Sequence, residues 1–346
     1  MGRITIKDVA KEAGVSTATV SYVMNEKKNI PEATREQVLA AAEKLGYVSN
    51  YSARSMRLNR SNLIGVIIPQ TEPGSQMVFE NPFYSEILSS IEYCARQSGY
   101  HVIVSGTNAD ENYLKLAQQR NLDGIIIIGM YKEQNYTDLR NTRIPIVLVD
   151  SYMDDHYFHA IRINDRHAGY VATRHLIENG HRKIAFLSGA IKDGGVMKLR
   201  YAGYCDALDE FGILQNPDYV LTESVGFDSG RRLARKMADD LDVTAAFCTA
   251  DIIAIGAIKE LNEHQRLIPE QYSIVGVDNL SIARYSIPGL TTVGQNIYHK
   301  GEKAVEMILN AIADPTAGKQ EYILPITLVE RESVCKLNPS ASRFAG

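Results

Sequence analysis

The stretch GVSTATVSYVMN, residues 14 to 25, carries small hydroxyl and methyl side chains where a surface helix ordinarily carries Lys and Glu. At about 100° per residue, Val20, Val23 and Met24 fall on one side of a helical wheel, with Thr17, Ala18, Ser21 and Tyr22 on the other half. A helix bare of bulk apart from one phenol suits the major groove of duplex DNA, where short side chains meet base edges and bulk would clash. The alternative is a plain solvated face, against which the missing Lys and Glu argue. Catalytic spacings are not found: there is no GxSxG elbow, no P-loop, no HExxH pair and no GxGxxG opening a helix after the first apolar run. The eight histidines are scattered, and His101, His167, His175 and His181 read as surface or supporting groups. Cys94, Cys205, Cys248 and Cys335 lie far apart without a CxxC pair, which argues against a zinc site and a disulfide framework and for reduced thiols. The expectation is a protein that is not an enzyme and has no metal and no cofactor.

Short helices must position the small-residue face. Thr5 and Asp8 have the spacing of a capping box before IKDVAKEA, and Gly14 suits the C-terminal turn of that helix. Ser16 then caps a second helix after a tight turn. Pro31 or Glu32 starts a third, which carries Val38, Ala42 and Leu45 at helical spacing and stops at Gly46. Two helices joined by a tight turn with a third across them make a helix-turn-helix. Residues 1 to 60 hold ten Lys/Arg against six Asp/Glu, whereas the remainder holds 27 against 35. A basic head on an acidic body suggests that the head meets the polyanion.

With 346 residues and 45% apolar content the chain is too long for one core and too apolar for disorder. Apolar runs at 63–69, 100–106, 123–129, 144–150 and 159–164 alternate with helical stretches such as 84–98 and 110–121. The rhythm restarts at 183–189 and continues through 245–250, 273–278 and 290–296, which predicts two doubly wound lobes with a ligand between them at the carboxyl ends of the strands. Asp150 and Asp278 end apolar runs there, Phe83 and Tyr84 precede a helix, and Arg200 opens the helix in LRYAGY. The two Asp residues are ligand groups or turn caps, and the aromatics are ligand faces or core. The N-terminus has no long apolar segment and no later run approaches eighteen apolar residues, so no membrane partner and a cytoplasmic location are expected.

The segments TIKDVAKEAGVSTATVSYVMN, TREQVLAAAEKLGYVSN and ARSMRLNRSNLIGVIIP resemble the N-terminal signature of the lactose/galactose repressor family, and LDGIIIIG, IPIVLVD, LIENGHRKIAFLSG, LRYAGY and SIVGVDN extend the likeness through the chain. The resemblance implies an all-α helix-turn-helix head plus an α/β body, with two doubly wound parallel-sheet lobes of periplasmic-binding-protein type. The corresponding division is a DNA-binding head at 1–49, a linker helix at 50–62, a two-lobed effector-binding and dimerisation domain at 63–337, and a tail at 338–346. Lobe 1 takes about 63–164 and 295–323, lobe 2 about 165–292 and 325–337.

The implied function is that of a repressor, binding a palindromic double-stranded DNA operator as a homodimer and gated by a small-molecule effector. Family positions that touch bases fall on Thr17, Ala18 and Tyr22, and the wider DNA set on Thr5, Ser16, Thr19, Ser21, Asn25, Tyr47, Asn50, Ala53, Arg54, Met56 and Arg57. Met56 stands where the family has a minor-groove leucine wedge. Effector contacts fall on Phe83, Tyr84, Asp150, Arg200, Asp278 and, by resemblance alone, Phe227. Charged groups that grip hydroxyls beside aromatic faces suit a carbohydrate. The loop 190–198 is glycine-rich where purine-responsive relatives have polar contacts, which disfavours a purine. QTEPGSQMVFE, residues 70 to 80, is either a cover for a longer sugar or an inert surface insertion. A regulator gated by a partner protein and a solute-binding protein without a DNA role are the alternatives; the head and the absent export signal count against the second.

Overall fold

Thr5 and Asp8 close the capping box. The Asp8 carboxylate accepts from the Thr5 backbone N–H at 2.8 Å and from its hydroxyl at 2.7 Å, which lowers the Asp8 pKa and starts α1 (Ile6–Glu12). Gly14, at φ +62°, turns the chain while Val15 N donates to Ala10 O at 3.0 Å and Gly14 N to Lys11 O at 3.4 Å. Ser16 Oγ accepts from Thr19 N–H at 3.1 Å and begins α2 (Thr17–Met24). α3 (Glu32–Leu45) follows Pro31 and ends at Gly46 with the same paired bonds, Gly46 N to Glu43 O and Tyr47 N to Ala42 O. Val9, Val20 and Val38, all fully buried, form the core with Val23 and four alanines. Each such valine contributes about 1.5–3 kcal/mol of apolar burial.

The computed structural model describes residues 4–24, 30–47, 60–70, 78–108, 114–129, 139–152 and 157–337, and the chain forms two units, Met1–Ser61 and Asn62–Gly346. In the second unit the first sheet contains β1 (Leu63–Gln70), β2 (His101–Asn108), β3 (Gly124–Ile128), β4 (Ile146–Val149), β5 (His159–Ile163) and β11 (Glu321–Leu324). They lie in the order β11-β5-β4-β3-β1-β2 and are parallel throughout. The second sheet contains β6 (Ile184–Gly189), β7 (Val220–Glu223), β8 (Ala245–Cys248), β9 (Ser273–Asp278), β10 (Thr291–Gln295) and β12 (Ile326–Val329), in the order β12-β10-β9-β8-β6-β7. Its edge strand β12 runs antiparallel to β10, so this lobe is mixed where the sequence predicts a parallel sheet. Helices cover both faces, which is why β3, β6, β8 and β9 are buried along their whole length and read as unbroken apolar runs.

Helices α4 (Pro82–Gln97), α5 (Leu114–Arg120) and α10 (Ile297–Ala313) belong to the first lobe, α10 packing on α4 and on β3, β4 and β5. α6 (Asp165–Glu178), α7 (Val196–Glu210), α8 (Phe227–Asp240) and α9 (Asp251–Glu263) belong to the second. The chain passes between sheets after β5, after β10 and between β11 and β12. The first two passages use the same device, since Asn164 accepts from His167 N and Asn296 from His299 N, each at 3.0 Å, and each cap starts a helix in the other lobe. β10 stays paired in the second sheet through Gln295, so the return to the first lobe falls at Asn296, later than the 292–295 boundary read from sequence.

Candidate functional site

On α2, Val20 and Val23 are buried and Met24 packs half-buried on the head core, while Thr17 and Ala18 are exposed and Tyr22 is 40% exposed. Ser21 sits half-buried at the edge of that open face. Other members of the sequence-derived DNA set have local structural work: Thr5 is engaged with Asp8, Ser16 caps α2 and lies 2.9 Å from the Thr19 hydroxyl, and Tyr47 packs on the head core. Asn25, Asn50, Ala53, Arg54, Met56 and Arg57 lie outside the described residues, as do most of the linker and residues 71–77.

In the body, both strand-end carboxylates occupy backbone conformations that L-residues rarely adopt, Asp150 at φ +51° and Asp278 at φ +122°. Such strain persists only where the surroundings hold it. Lys300, fully buried on α10, donates to Asp150 Oδ1 at 2.6 Å and Oδ2 at 2.8 Å, and also to Gln295 Oε1. The Gln295 amide donates in turn to Asp278 Oδ1 at 2.7 Å. Arg200 lies 3.7 Å from that same oxygen, donates through Nε to Asp165 at 2.7 Å, and reaches the Thr249 carbonyl. Tyr152, from the first lobe, donates to the other oxygen of Asp165. A continuous polar chain therefore joins β4 and α10 of one lobe to β9, α6 and α7 of the other.

Burial dominates the electrostatics. It raises the carboxyl of Asp278 to about 6 against the opposing pull of Arg200, and it raises Asp165, again with Arg200 opposing. Asp251, behind Asp278, is pushed well up by burial and then by the Asp278 charge. It accepts from Leu280 N at 2.8 Å and from the Thr292 hydroxyl at 2.6 Å.

Phe83 and Tyr84 lie in the first turn of α4, which begins at Pro82, and so do not precede the helix as the sequence suggests; Phe83 comes one residue after Pro82. Its N–H is capped by Asn81 at 3.0 Å, its ring meets Tyr84 edge-on at 5.7 Å between centroids, and the Lys300 ammonium lies 5.7 Å from its centre. The structure thus brings Asp150 and Phe83 together around Lys300, with Tyr84 edge-on to Phe83. Phe227 opens α8 in the second lobe and is packed on that lobe's core.

Arg200 and Asp278 are almost wholly buried and joined to each other and to protein partners, whereas Asp150 and the two aromatics keep part of their surface open. α7 begins at Val196, four residues before Arg200, which lies inside the helix and does not open it. The residues missed from sequence are Lys300, Gln295, Asp165 and Tyr152. Lys300 carried a readable signal: it falls in the apolar stripe of Ile297, Ala304, Val305 and Ile308, where an ammonium needs a buried partner. Among the described residues, no cluster of His, Cys, Asp and Glu is arranged to hold a metal ion, and no helix is long and apolar enough to cross a membrane.

A helix-turn-helix with an open small-residue face and a two-lobed body with a charged interlobe crevice define an effector-responsive DNA-binding regulator. Residues 5–50 match the model of bacterial regulatory proteins of the lacI family, and residues 173–334 match the periplasmic binding protein-like domain. The HTH-type transcriptional repressor PurR of Aliivibrio salmonicida is 36% identical over 341 residues, covering 96% of this chain and 99% of the relative; that of Vibrio vulnificus is 34% identical with the same coverage. Among solved structures, the lac repressor dimer bound to operator and the anti-inducer ONPF superposes with a TM-score of 0.84 at 26% identity, covering 96% of this chain and all of that one. The chain belongs to the lacI family of bacterial regulatory proteins. It is a transcriptional repressor with a DNA-binding head and an effector-binding body, and not an enzyme.

Proposed function

We propose that a cytoplasmic homodimer of this chain represses from a pseudo-palindromic operator and is gated by a carbohydrate bound between its lobes. One recognition helix reads too few base pairs for useful specificity, which is the reason for a two-fold dimer on paired half-sites. In this reading residues 1–49 bind DNA through Thr17, Ala18 and Tyr22, residues 50–62 link head to body, and residues 63–337 hold the effector. The observation that carries the carbohydrate assignment is the aromatic pair Phe83–Tyr84 beside the partly open carboxylate of Asp150, an apolar face for a sugar ring next to an acceptor for its hydroxyls. Two similar solved proteins support it: the transcriptional regulator CelR in its cellobiose complex (TM-score 0.71, 26% identical, 96% of this chain and all of that one) and an Enterococcus faecium LacI family regulator with bound ribose (TM-score 0.71, 27% identical, 80% and 100%).

Titration calorimetry of the full-length protein against cellobiose, maltose, glucose, ribose, hypoxanthine and guanine tests this reading. A neutral sugar gives heat, and Asp150→Ala weakens it about 10- to 100-fold, the range for losing hydrogen bonds to a charged acceptor. Heat from a purine alone would overturn the assignment.

A further inference from the structure

Lys300 is the cation that the cleft keeps inside the protein. Its side chain has no exposed surface, and its three ammonium hydrogens match three acceptors, the two oxygens of Asp150 and the amide oxygen of Gln295. Arg200 is likewise committed, to Asp165, Thr249 and Asp278. Around the crevice this sets three carboxylates, Asp150, Asp165 and Asp278, against two cations. Behind them Arg331 is held by the Leu290 carbonyl and Asn279, and burial drives Asp251 toward its neutral form.

We propose that Lys300 sets the charge class of the effector: by neutralising Asp150 from within the core it makes the cleft a seat for an uncharged polyhydroxylated ligand and closes it to phosphate esters. This rests on the carbohydrate reading above and narrows it. Each Asp150 oxygen takes one hydrogen bond from Lys300 and keeps lone-pair capacity on its outer side for a ligand hydroxyl. The Lys300 charge also lies near the Phe83 ring, so the aromatic wall and the acceptor are held as one unit. A phosphate would find both buried cations with their donors already engaged and the Asp150 carboxylate facing it, and its own desolvation would go uncompensated. Without Lys300 the same wall would present an uncompensated buried carboxylate, which favours a cationic group over a hydroxyl.

The test is calorimetry on full-length wild type, Lys300→Met and the double variant Asp150→Asn/Lys300→Met, with glucose, ribose and cellobiose set against glucose 6-phosphate and ribose 5-phosphate. In wild type each phosphate ester binds at least about tenfold more weakly than its parent sugar. Lys300→Met lowers neutral-sugar affinity by about tenfold or more, as expected when one partner of a buried pair is removed. The double variant, having no orphaned charge, recovers to within about threefold of wild type. If Lys300→Met does not fold, the double variant and the wild-type sugar-to-phosphate ratio carry the test. Equal affinity for a sugar and its phosphate in wild type, or undiminished affinity in a folded Lys300→Met, overturns the inference while leaving the carbohydrate reading standing. Absence of heat with every neutral sugar overturns both.

Discussion

Asp278 is held where its charge is expensive. It is almost fully buried at φ +122°, faces Arg200, Gln295 and Lys300 as favourable partners, and has Asp150 and Asp251 as unfavourable ones, with its carboxyl at about 6 against 3.8 for the free group. The folded protein therefore binds this proton more tightly than the unfolded chain does. Its contribution to stability is present below about pH 4 and is lost as pH rises through about 6. The difference in melting temperature between Asp278→Asn and wild type should move in favour of the variant between about pH 4 and about pH 7. Asp165 is present in both proteins and its contribution largely cancels, whereas Asp251 loses the repulsion of the Asp278 charge in the variant, which acts in the same direction. A difference that stays flat with pH would mean that ionising Asp278 carries no penalty. Asp150 and Asp278 were legible in the sequence because each ends an apolar run, and strand ends of doubly wound sheets face ligands. Their internal partners were not, because Lys300 lies 150 positions from Asp150 and meets it only once the first lobe assembles, and Gln295 reaches Asp278 only once β10 pairs with β9.

Helix pairs in the second lobe are set by glycines that let backbones touch. A Cβ at Gly169 of α6 would lie 2.1 Å from the Arg200 carbonyl oxygen on α7, and one at Gly203 would lie 1.9 Å from that of Arg166 on α6. α8 and α9 repeat the arrangement, with Gly230 against Ile253 and Gly256 against Phe227. These crossings fix the backbone of Arg200 and Phe227, so the cleft's second-lobe side depends on positions that never reach it. Gly169→Ala should push α7 outward and destabilise the body by about 1–3 kcal/mol, the usual cost of overpacking, read from the midpoint of urea unfolding. An unchanged midpoint would mean that the crossing relaxes freely. The apolar runs located nine strands in the sequence because both faces of these sheets are covered. β7, β11 and β12 escaped notice: they are four-residue edge strands, partly exposed, without an unbroken apolar run. The reciprocal glycines were also silent, since helical spacing alone does not say which helix lies opposite.

Across the whole body, the lobes meet through contacts that a ligand-driven closure would have to form or break. Glu86 on α4 of the first lobe accepts from both the N–H of Ser281, at 2.8 Å, and its hydroxyl, at 2.6 Å, at the second-lobe turn that follows β9. This latch lies on the rim, where it is exposed, and the Lys300 and Arg200 chain lies inside. Three short passages of chain connect the lobes, and in hinged two-lobed folds rim bonding biases the balance between open and closed forms. Removing the carboxylate with Glu86→Ala should favour the open form by about 0.2–1 kcal/mol, the range for exposed charged contacts. For an effector that closes the lobes, this corresponds to a loss of up to about fivefold in affinity. Because binding coupling is reciprocal, the effector concentration that half-shifts operator affinity should move in the same direction and by a similar factor. Calorimetry gives the first quantity and fluorescence anisotropy of a labelled operator the second. A fall in effector affinity without a matching displacement of the operator response would mean that lobe closure is not the motion that links the two sites, and no change in either would remove Glu86 from the latch.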